Sequence, residues 1–513
     1  MTRSQLVLGE VIRRVGVLAP RGLRETVRHE KVLIVGLLGA LLSGELLASS
    51  VSLHLLLALA VVPLVFAVVW TSPRTTIIGL ACWLVALGLV RRFVGSGSHS
   101  GLGDPLLLVG PVVLVLLFVV ASGRGALRDR SPLANAIALL SLLALVEVLN
   151  PLQGGPLVGL GGLLFILVPM LAFWVGRALL DDAALQRLFR IIAELSVLVA
   201  VYGLVQQFVG FPSWDARWIS SNGYVALHVG GVIRAFGSLA SSTEYATFLS
   251  VGLVILISSL GTWRRILLPL HVAAIALLAT ALVLSSVRAS AILAVVALSA
   301  IAAARIGLSP MVALVTGVLA VLTLGIGLSH ISLTSQADSS GEASPTSGLL
   351  QHELSGIANP TGLNSSLPGH FSETLRGSLS AFSLPVGRGT GSVTLAAGRL
   401  GSSAIVNTEG DPGNAGTALG LPGLILYLVI LIRGLLDTYR QAALRRDALA
   451  LATLGILIVT FLQWLNGDLY SVAWLCWLGL GWVDRQTVQQ ARATTHPSQG
   501  EEPAVAPART SAK

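Results

Sequence analysis

Two arginines stand beside the ends of apolar segments, where an arginine side chain is well suited to holding phosphate. Arg234 precedes an apolar segment whose start can be capped by the hydroxyl residues at 241–243. Arg288 follows residues 285–287, where two apolar segments abut. A guanidinium donates a bidentate fork to phosphate oxygens, and a helix N-terminus favours anions. Both arginines are therefore candidate phosphate ligands. The alternative for Arg288 is a side chain that only extends to the membrane interface. The alternative for Arg234 is a surface arginine beside an ordinary helix cap.

Acid–base chemistry has its candidates in a polar insert, rich in glycine, serine and threonine, that spans residues 330–417. Glu409 and Asp411 lie in it, shortly before the next apolar segment. Either carboxylate can act as a general base if it comes within hydrogen-bond reach of a substrate hydroxyl. A solvated acid without a catalytic role is the alternative for both residues.

One part of this insert has helical periodicity. Phe371, Leu375, Leu379 and Phe382 recur at the spacing of one helical face, with Arg376 beside it. The pattern predicts a short amphipathic helix that lies against the membrane or roofs a cavity.

Four further polar residues are predicted to contact the substrate: Arg376, Gln206, Asp215 and His370. Asp215 shares a loop with Arg234. Gln206 lies in an apolar segment, where a side-chain amide can equally form a hydrogen bond between two helices. The histidines of the insert match no zinc spacing, and Cys82 and Cys476 both lie in apolar segments. We therefore predict neither a metal site nor a cofactor.

The composition is that of a membrane protein. Of the 513 residues, 54% are hydrophobic and 11% are charged, and the mean hydropathy is +0.83. A soluble protein carries about 25% charged residues. The net charge of +9 comes almost entirely from arginines in short connecting segments. This pattern predicts a lipid bilayer as partner and no nucleic-acid surface.

Apolar segments of about twenty residues are long enough to cross a bilayer. They predict an all-α fold, a polytopic bundle of about fourteen transmembrane helices, with the polar insert between the eleventh and twelfth spans. The predicted spans are 32–48, 52–70, 76–91, 106–122, 135–150, 159–180, 191–210, 245–262, 266–287, 289–304, 311–329, 418–437, 448–466 and 468–483.

Flanking charge predicts the direction of these spans. The arginine-rich N-terminus should be cytoplasmic, and alternation puts most other arginine-rich connections on the same side. Arg91 and Arg92 are the close pair that breaks this pattern. The predicted parts are a basic cytoplasmic segment at 1–30, spans 1–11 at 31–329, a large extracytoplasmic loop at 330–417, spans 12–14 at 418–484 and a disordered cytoplasmic tail at 485–513.

Several short motifs, taken in order, are similar to those of the O-antigen ligase and O-antigen polymerase superfamily. They are Glu147-Val148-Leu149-Asn150-Pro151-Leu152-Gln153-Gly154 with Val158-Gly159-Leu160, Tyr202-Gly203-Leu204-Val205-Gln206-Gln207-Phe208-Val209-Gly210-Phe211, Ile233-Arg234-Ala235-Phe236-Gly237-Ser238, the turn before Arg288, Pro385-Val386-Gly387 and Gly420-Leu421-Pro422-Gly423. The resemblance extends over residues 145–437.

This resemblance implies an inverting, metal-independent glycosyltransferase of the bacterial cytoplasmic membrane. It implies two substrates, a polyprenyl-pyrophosphate-linked oligosaccharide and a glycan acceptor, joined on the outer face by polymerisation or ligation. In the family, outward arginines engage the pyrophosphate, which carries over to Arg234 and Arg288, and more loosely to Arg376.

Two departures from the family pattern bear on the branch. The family turn usually reads Thr-Gly-Ser-Arg, where this chain has Ser-Ser-Val-Arg288. Family ligases place a His-Asn pair where this chain has Glu409 and Gly410. The missing histidine favours the polymerase branch and leaves the identity of the base open.

Two other classes of function fit such a chain. A lipid-linked oligosaccharide flippase or other transporter can also have about fourteen spans, although transporters tend to show repeated halves. No internal repeat is visible in this sequence. A non-catalytic membrane scaffold is the third class, and it would tolerate neutral residues in place of both arginines.

Overall fold

The structure, a computed structural model, describes residues 69, 71–94, 106–222, 228–229, 232–260, 267–335, 367–394, 398, 400, 405–465 and 469–495. Its helices are α1 (Pro73–Val94), α2 (Leu106–Gly123), α3 (Pro132–Glu147), α4 (Pro156–Leu179), α5 (Asp182–Phe208), α6 (Ser213–Asn222), α7 (Ser242–Ser258), α8 (Leu268–Leu284), α9 (Arg288–Ile306), α10 (Pro310–Ser335), α11 (Leu367–Ser383), α12 (Gly410–Arg445), α13 (Ala448–Val459) and α14 (Tyr470–Thr495). A 3-10 turn (Pro151–Gln153) joins α3 to α4, and β1 (His228–Val229) pairs antiparallel with β2 (Val232–Ile233).

Helix starts follow local signals in the sequence. Asp181, Ser241 and Asp447 each precede a helix, and each side chain accepts a hydrogen bond from the backbone N–H three residues later. Such caps satisfy one of the N–H groups that the first turn of a helix leaves without an intrahelical partner. The starts of α5, α7 and α13 are therefore fixed locally.

The helices confirm an all-α, multi-pass membrane protein. By length and composition, α1, α2, α4, α5, α9 and α12 can each cross a membrane, and α3, α7, α8, α10 and α13 are shorter apolar helices. Each of the predicted spans from 76–91 onward overlaps a described helix. The spans predicted at 32–48 and 52–70 lie outside the described residues, apart from Val69, so the count of fourteen stays a prediction.

Helices α4 and α14 form the most closely packed part of the core. A β-carbon on Gly481 would lie 1.9 Å from the carbonyl oxygen of Phe173, and one on Gly176 would lie 2.0 Å from that of Leu478. Glycine allows the two backbones to approach this closely, as small residues do in membrane helix pairs. The buried tryptophans of α14 are Trp474, Trp477 and Trp482.

Ion pairs hold together the helix ends that carry many of the arginines. Arg74 at the start of α1 lies 2.7 Å from Asp181, which precedes α5. Arg177 near the end of α4 lies 2.8 Å from Asp484 of α14, and both side chains are buried. These contacts place the start of α1, the end of α4, the start of α5 and the middle of α14 on one side of the bundle. We call this side the arginine-rich end and the opposite side the far end.

Helix α14 continues past the start of the predicted disordered tail. Arg485 donates a hydrogen bond of 2.9 Å to the carbonyl oxygen of Leu180, and Gln490 bonds with Gln441 of α12. These polar contacts hold the helix against its neighbours, and the helix continues to Thr495. Residues 485–495, which belong to the predicted tail, are thus helical here, because side-chain contacts replace the apolar packing that this segment lacks.

Helix α12 folds back on itself at Gly420. This residue has φ +66° and ψ −159°, a non-helical conformation that glycine adopts without steric cost. Tyr427 donates a hydrogen bond of 2.7 Å to Asp411, sixteen residues earlier. A straight helix would separate their α-carbons by about 24 Å, well beyond the reach of the two side chains. Residues 410–419 therefore form a half-helix that folds against residues 421–445.

The α4–α14 contact gives a direct test of the packing. We expect Gly481→Ala to lower the free energy of unfolding by about 1–3 kcal/mol, because the new methyl group overlaps a backbone carbonyl. The matched control is Gly79→Ala on α1, where a β-carbon meets no atom within 4 Å. Thermal unfolding of both variants in detergent measures the difference, and equal melting temperatures would contradict the packing described.

Candidate functional site

A buried ion pair lies at the far end, between α1 and α6. The Nε atom of Arg92 lies 3.2 Å from Oδ1 of Asp215, and the two side chains are 1% and 0% exposed. Arg92 also donates to the carbonyl oxygens of Gly237, at 2.8 Å, and Leu239, at 3.1 Å. Its guanidinium lies 4.8 Å from the centre of the Phe236 ring. One arginine thus ties α1 and α6 to the backbone of the loop that precedes α7.

Gln206, near the end of α5, fixes the same loop. Its Oε1 atom accepts hydrogen bonds from the N–H groups of Phe236, at 3.1 Å, and Gly237, at 2.8 Å. Its Nε2 atom donates to Oδ2 of Asp215 at 2.7 Å. Both Gln206 and Asp215 are buried. Gln206 and Asp215 were predicted to contact a substrate directly. Their hydrogen bonds instead favour a structural role, in which they hold the loop in place.

The loop carries Arg234 to the turn that precedes Arg288. The Nη1 atom of Arg234 donates a hydrogen bond of 3.2 Å to the carbonyl oxygen of Ser286. Ser286 has φ +54°, in the left-handed region, and Arg288 is the first residue of α9. Both arginines are half-buried. The structure therefore brings the segments of the two predicted phosphate ligands into contact.

Buried hydroxyls lie in the same region. Ser242, the first residue of α7, is 1% exposed, and Ser286 is 3% exposed. Neither hydroxyl has a hydrogen-bond partner within the described part of the chain. The helices α7 and α9 are neighbours, because the hydroxyls of Thr247 and Ser290 lie 3.3 Å apart. A buried polar group without a protein partner costs about 1–3 kcal/mol unless a ligand or water bonds to it.

Together these groups have the chemistry of an anion site. The segments that carry Arg234 and Arg288 meet at the turn of Ser286, which also supplies a buried hydroxyl and leads into the N-terminal end of α9. The N-terminal end of α7, with the buried hydroxyl of Ser242, lies at the same end of the bundle. Guanidinium and hydroxyl groups donate to phosphate oxygens, and the positive end of a helix favours the charge. Among the described residues, no three histidine, cysteine or acidic side chains come together as a metal site would require.

A second region of the far end joins three of the sequence motifs. Asn150 donates a hydrogen bond of 3.0 Å to the carbonyl oxygen of Gly387. Gln153 accepts one of 2.9 Å from the N–H of Gly391. Gly387 and Gly391 belong to the loop that follows α11. The backbone of this loop, at residues 385–389, also forms hydrogen bonds with the backbone of residues 417–421 in α12. The motifs beginning at Glu147, Pro385 and Gly420 therefore form one interlocked structure.

The predicted acidic candidates differ in their surroundings. Glu409 contacts Nδ1 of His370 on α11, and the two side chains are 38% and 54% exposed. Asp411 is fully buried, and its carboxylate accepts hydrogen bonds from the Tyr427 hydroxyl and the Trp464 N–H. Glu409 is therefore open to a substrate, whereas Asp411 anchors the half-helix. Arg376 lies on the exposed side of α11.

Sequence reasoning missed the part played by Arg92, although a signal was present. Arg91 and Arg92 break the predicted charge pattern, and burying a charge such as that of Arg92 requires an acidic partner. Asp215 of α6 is that partner. The neighbouring Arg91 lies 5.1 Å from the ring of Trp218 in the same helix. The arginine pair that broke the predicted charge pattern therefore has a structural role, since both residues contact α6.

The Arg92–Asp215 pair can be tested by its effect on stability. We expect Arg92→Ala to lower the free energy of unfolding by about 3–5 kcal/mol, because it leaves a buried carboxylate without its cation. Thermal unfolding in detergent measures the loss, and Arg91→Ala is the control with a small expected change.

A double variant separates charge from packing at this pair. Arg92→Met with Asp215→Asn removes both charges and should recover part of the stability lost in Arg92→Ala. A double variant at least as unstable as the single one would contradict the ion-pair explanation.

Comparison with known proteins does not assign the chain to a family. No protein-family model matches it, and no curated protein matches its sequence. The similarity to the O-antigen ligase and polymerase superfamily therefore depends on the sequence motifs alone.

Proposed function

We propose that this protein is a membrane glycosyltransferase that polymerises, or ligates, glycans carried on a polyprenyl pyrophosphate. The proposal includes membership of the O-antigen ligase and polymerase superfamily and a site on the outer face of the bacterial cytoplasmic membrane. The observation that carries it is the contact between Arg234 and the turn that leads to Arg288. That contact supports a shared role for two arginines that the resemblance implies are pyrophosphate ligands.

In this reaction, the charge that most needs stabilisation would be the one on the leaving group. As the glycosidic bond to the pyrophosphate breaks, negative charge builds on the departing phosphate oxygens. Preorganised guanidinium and hydroxyl donors stabilise that charge more in a site with little water than in bulk solvent. Arg234, Arg288 and the hydroxyl of Ser286 would supply these donors.

The acceptor hydroxyl must lose a proton as it attacks the sugar carbon. Glu409 is the candidate base, since its carboxylate is partly exposed and in contact with His370. In this arrangement His370 would hold the carboxylate in place, and Glu409 would take the proton when the acceptor comes within hydrogen-bond reach. Arg376, exposed on the same helix as His370, would contact the incoming glycan or lipid phosphate.

The arginine site predicts binding of a short prenyl pyrophosphate. We expect farnesyl pyrophosphate to raise the melting temperature of the purified protein, and farnesol to leave it unchanged. Arg288→Ala and Arg234→Ala should each lose this shift. Arg288→Lys should keep only part of it, because an ammonium lacks the bidentate fork.

The same variants should alter activity in membranes that contain the native lipid-linked glycan. A rate of chain extension lower by roughly a hundredfold to a thousandfold is expected for Arg288→Ala, the loss typical of a missing transition-state donor. Arg217→Ala is the matched control, an exposed arginine at the same end of the bundle. Chain extension by Arg288→Ala at the wild-type rate would remove the central role of this residue.

The acid–base pair gives a separate prediction. Glu409→Gln keeps the shape of the side chain and removes the base, so we expect chain extension to fall by roughly a hundredfold or more. Binding of farnesyl pyrophosphate should be unchanged, because the arginine site is intact. If Glu409→Gln extends glycans normally, the base must be sought elsewhere.

A transporter is the second candidate, and one observation favours it. Discontinuous helices with a half-helix beside the substrate site are typical of secondary transporters. The bend at Gly420 gives α12 this form. Reconstituted vesicles separate the two functions, since a flippase moves a lipid-linked oligosaccharide without changing glycan length.

A further inference from the structure

The helix α11 presents three different faces. One face packs on the half-helix 410–419 through small residues, and a β-carbon on Gly377 would lie 2.8 Å from the α-carbon of Gly413. A second face carries the polar residues Glu373 and Arg376. The third is an exposed apolar stripe, whose members are Phe371 at 67%, Leu375 at 46%, Leu379 at 54% and Phe382 at 65% exposure.

The stripe does not end with the helix. Val386, in the loop that follows α11, is 66% exposed. This loop is bonded through Gly387 to Asn150, as described above. Around that contact the segment from α3 to α4 exposes its own large apolar side chains, which are Leu149, Leu152, Leu157 and Leu160. The stripe is therefore continuous with the outer surface of α4, a helix that can cross a membrane.

The depth of α11 follows from the fold of α12. Tyr427 lies eighteen residues before Arg445, which is about 27 Å along a helix. Arg445 belongs to the arginine-rich end, where it pairs with Asp182. The bond between Tyr427 and Asp411 therefore lies near the far boundary of a hydrocarbon layer about 30 Å thick. The residues of α11 that pack beside Asp411 therefore lie at the same boundary, because Thr374 and Gly377 contact Gly410 and Gly413 of the half-helix.

The dimensions of α11 agree with this position. Its seventeen residues span about 26 Å, and their apolar side chains cover one face, so the helix suits the plane of the interface. Arg376 on the adjoining polar face can extend its guanidinium toward lipid phosphates while its methylene groups stay against the apolar surface.

We propose that the apolar stripe of α11 is embedded in the phospholipid acyl chains of the leaflet at the far end. In this arrangement α11 is an interfacial membrane helix, although the sequence places it within a long polar loop. The stripe then has hydrocarbon as its partner, and the polar face of the helix meets the headgroups. This proposal concerns the location of α11 and stands whether or not the protein is a glycosyltransferase.

Site-directed spin labelling tests the proposal. Cys82 is replaced by serine, and Cys476 is kept because it is fully buried. Single cysteines at Phe371, Leu379 and Phe382 are labelled with a nitroxide in the full chain, reconstituted in phosphatidylcholine–phosphatidylglycerol liposomes. Labels at Glu373 and Arg376, on the polar face of the same helix, are the matched controls.

The measurement is the collision rate of each label with oxygen, which partitions into hydrocarbon, and with a water-soluble nickel chelate. We expect the three stripe labels to collide more with oxygen and less with nickel, at a depth of about 5–10 Å below the phosphates. The control labels should show the opposite preference.

Two results would overturn the proposal. Stripe labels that collide freely with nickel would mean that the helix lies in water. Stripe labels shielded from both reagents would mean that protein covers the stripe, either another segment of this chain or a second copy. Three stripe positions are used so that a label that disturbs folding, seen as a changed melting temperature, can be set aside. A loss of glycan extension without any change in these collision rates would count against the proposed function and not against this location.

Discussion

Irregular backbone inside an apolar bundle must obtain its hydrogen bonds from the protein, because lipid offers none. The far end of this structure depends on that constraint. Gln206 accepts hydrogen bonds from two successive N–H groups of the loop at 236–237. Gln153 accepts one from Gly391, and Asp411 accepts one from Trp464. Three buried side chains thus stabilise three non-helical segments, and the loop at 236–237 is the one that positions Arg234.

The arginines of the chain perform different tasks at the two ends. At the arginine-rich end they join helix termini to aspartates, as in the Arg177–Asp484 pair. At the far end Arg92 is buried and holds a loop by three kinds of contact, while Arg234 and Arg288 remain half-buried at a turn. A single residue type therefore serves both the architecture and the candidate chemistry, and only the surroundings of each side chain distinguish them.

Much of the helical framework could be predicted from the sequence, because an apolar segment of about twenty residues has few alternatives in a bilayer. The conformation of Gly420 could not be predicted, because a Gly-Leu-Pro-Gly sequence permits a bend in the helix without specifying its angle. The contact between Tyr427 and Asp411 decides that angle, and it is a tertiary contact. The same limit applies to His370, whose position beside Glu409 depends on the packing of α11 against a half-helix that sequence periodicity does not reveal.

The bond network around Asp411 has a consequence for biosynthesis. The half-helix that bears Asp411 is held by Tyr427 and Trp464, both of which leave the ribosome later. Its first residues therefore cannot reach their final contacts until α13 and the segment up to Trp464 have been made. Domains generally fold in the order of their synthesis, but here the region around Glu409 depends on a segment made more than fifty residues later. A nascent chain stopped before Trp464 would therefore lack the native surroundings of Glu409, whereas the contact between Arg234 and Ser286 needs no residue made after α9.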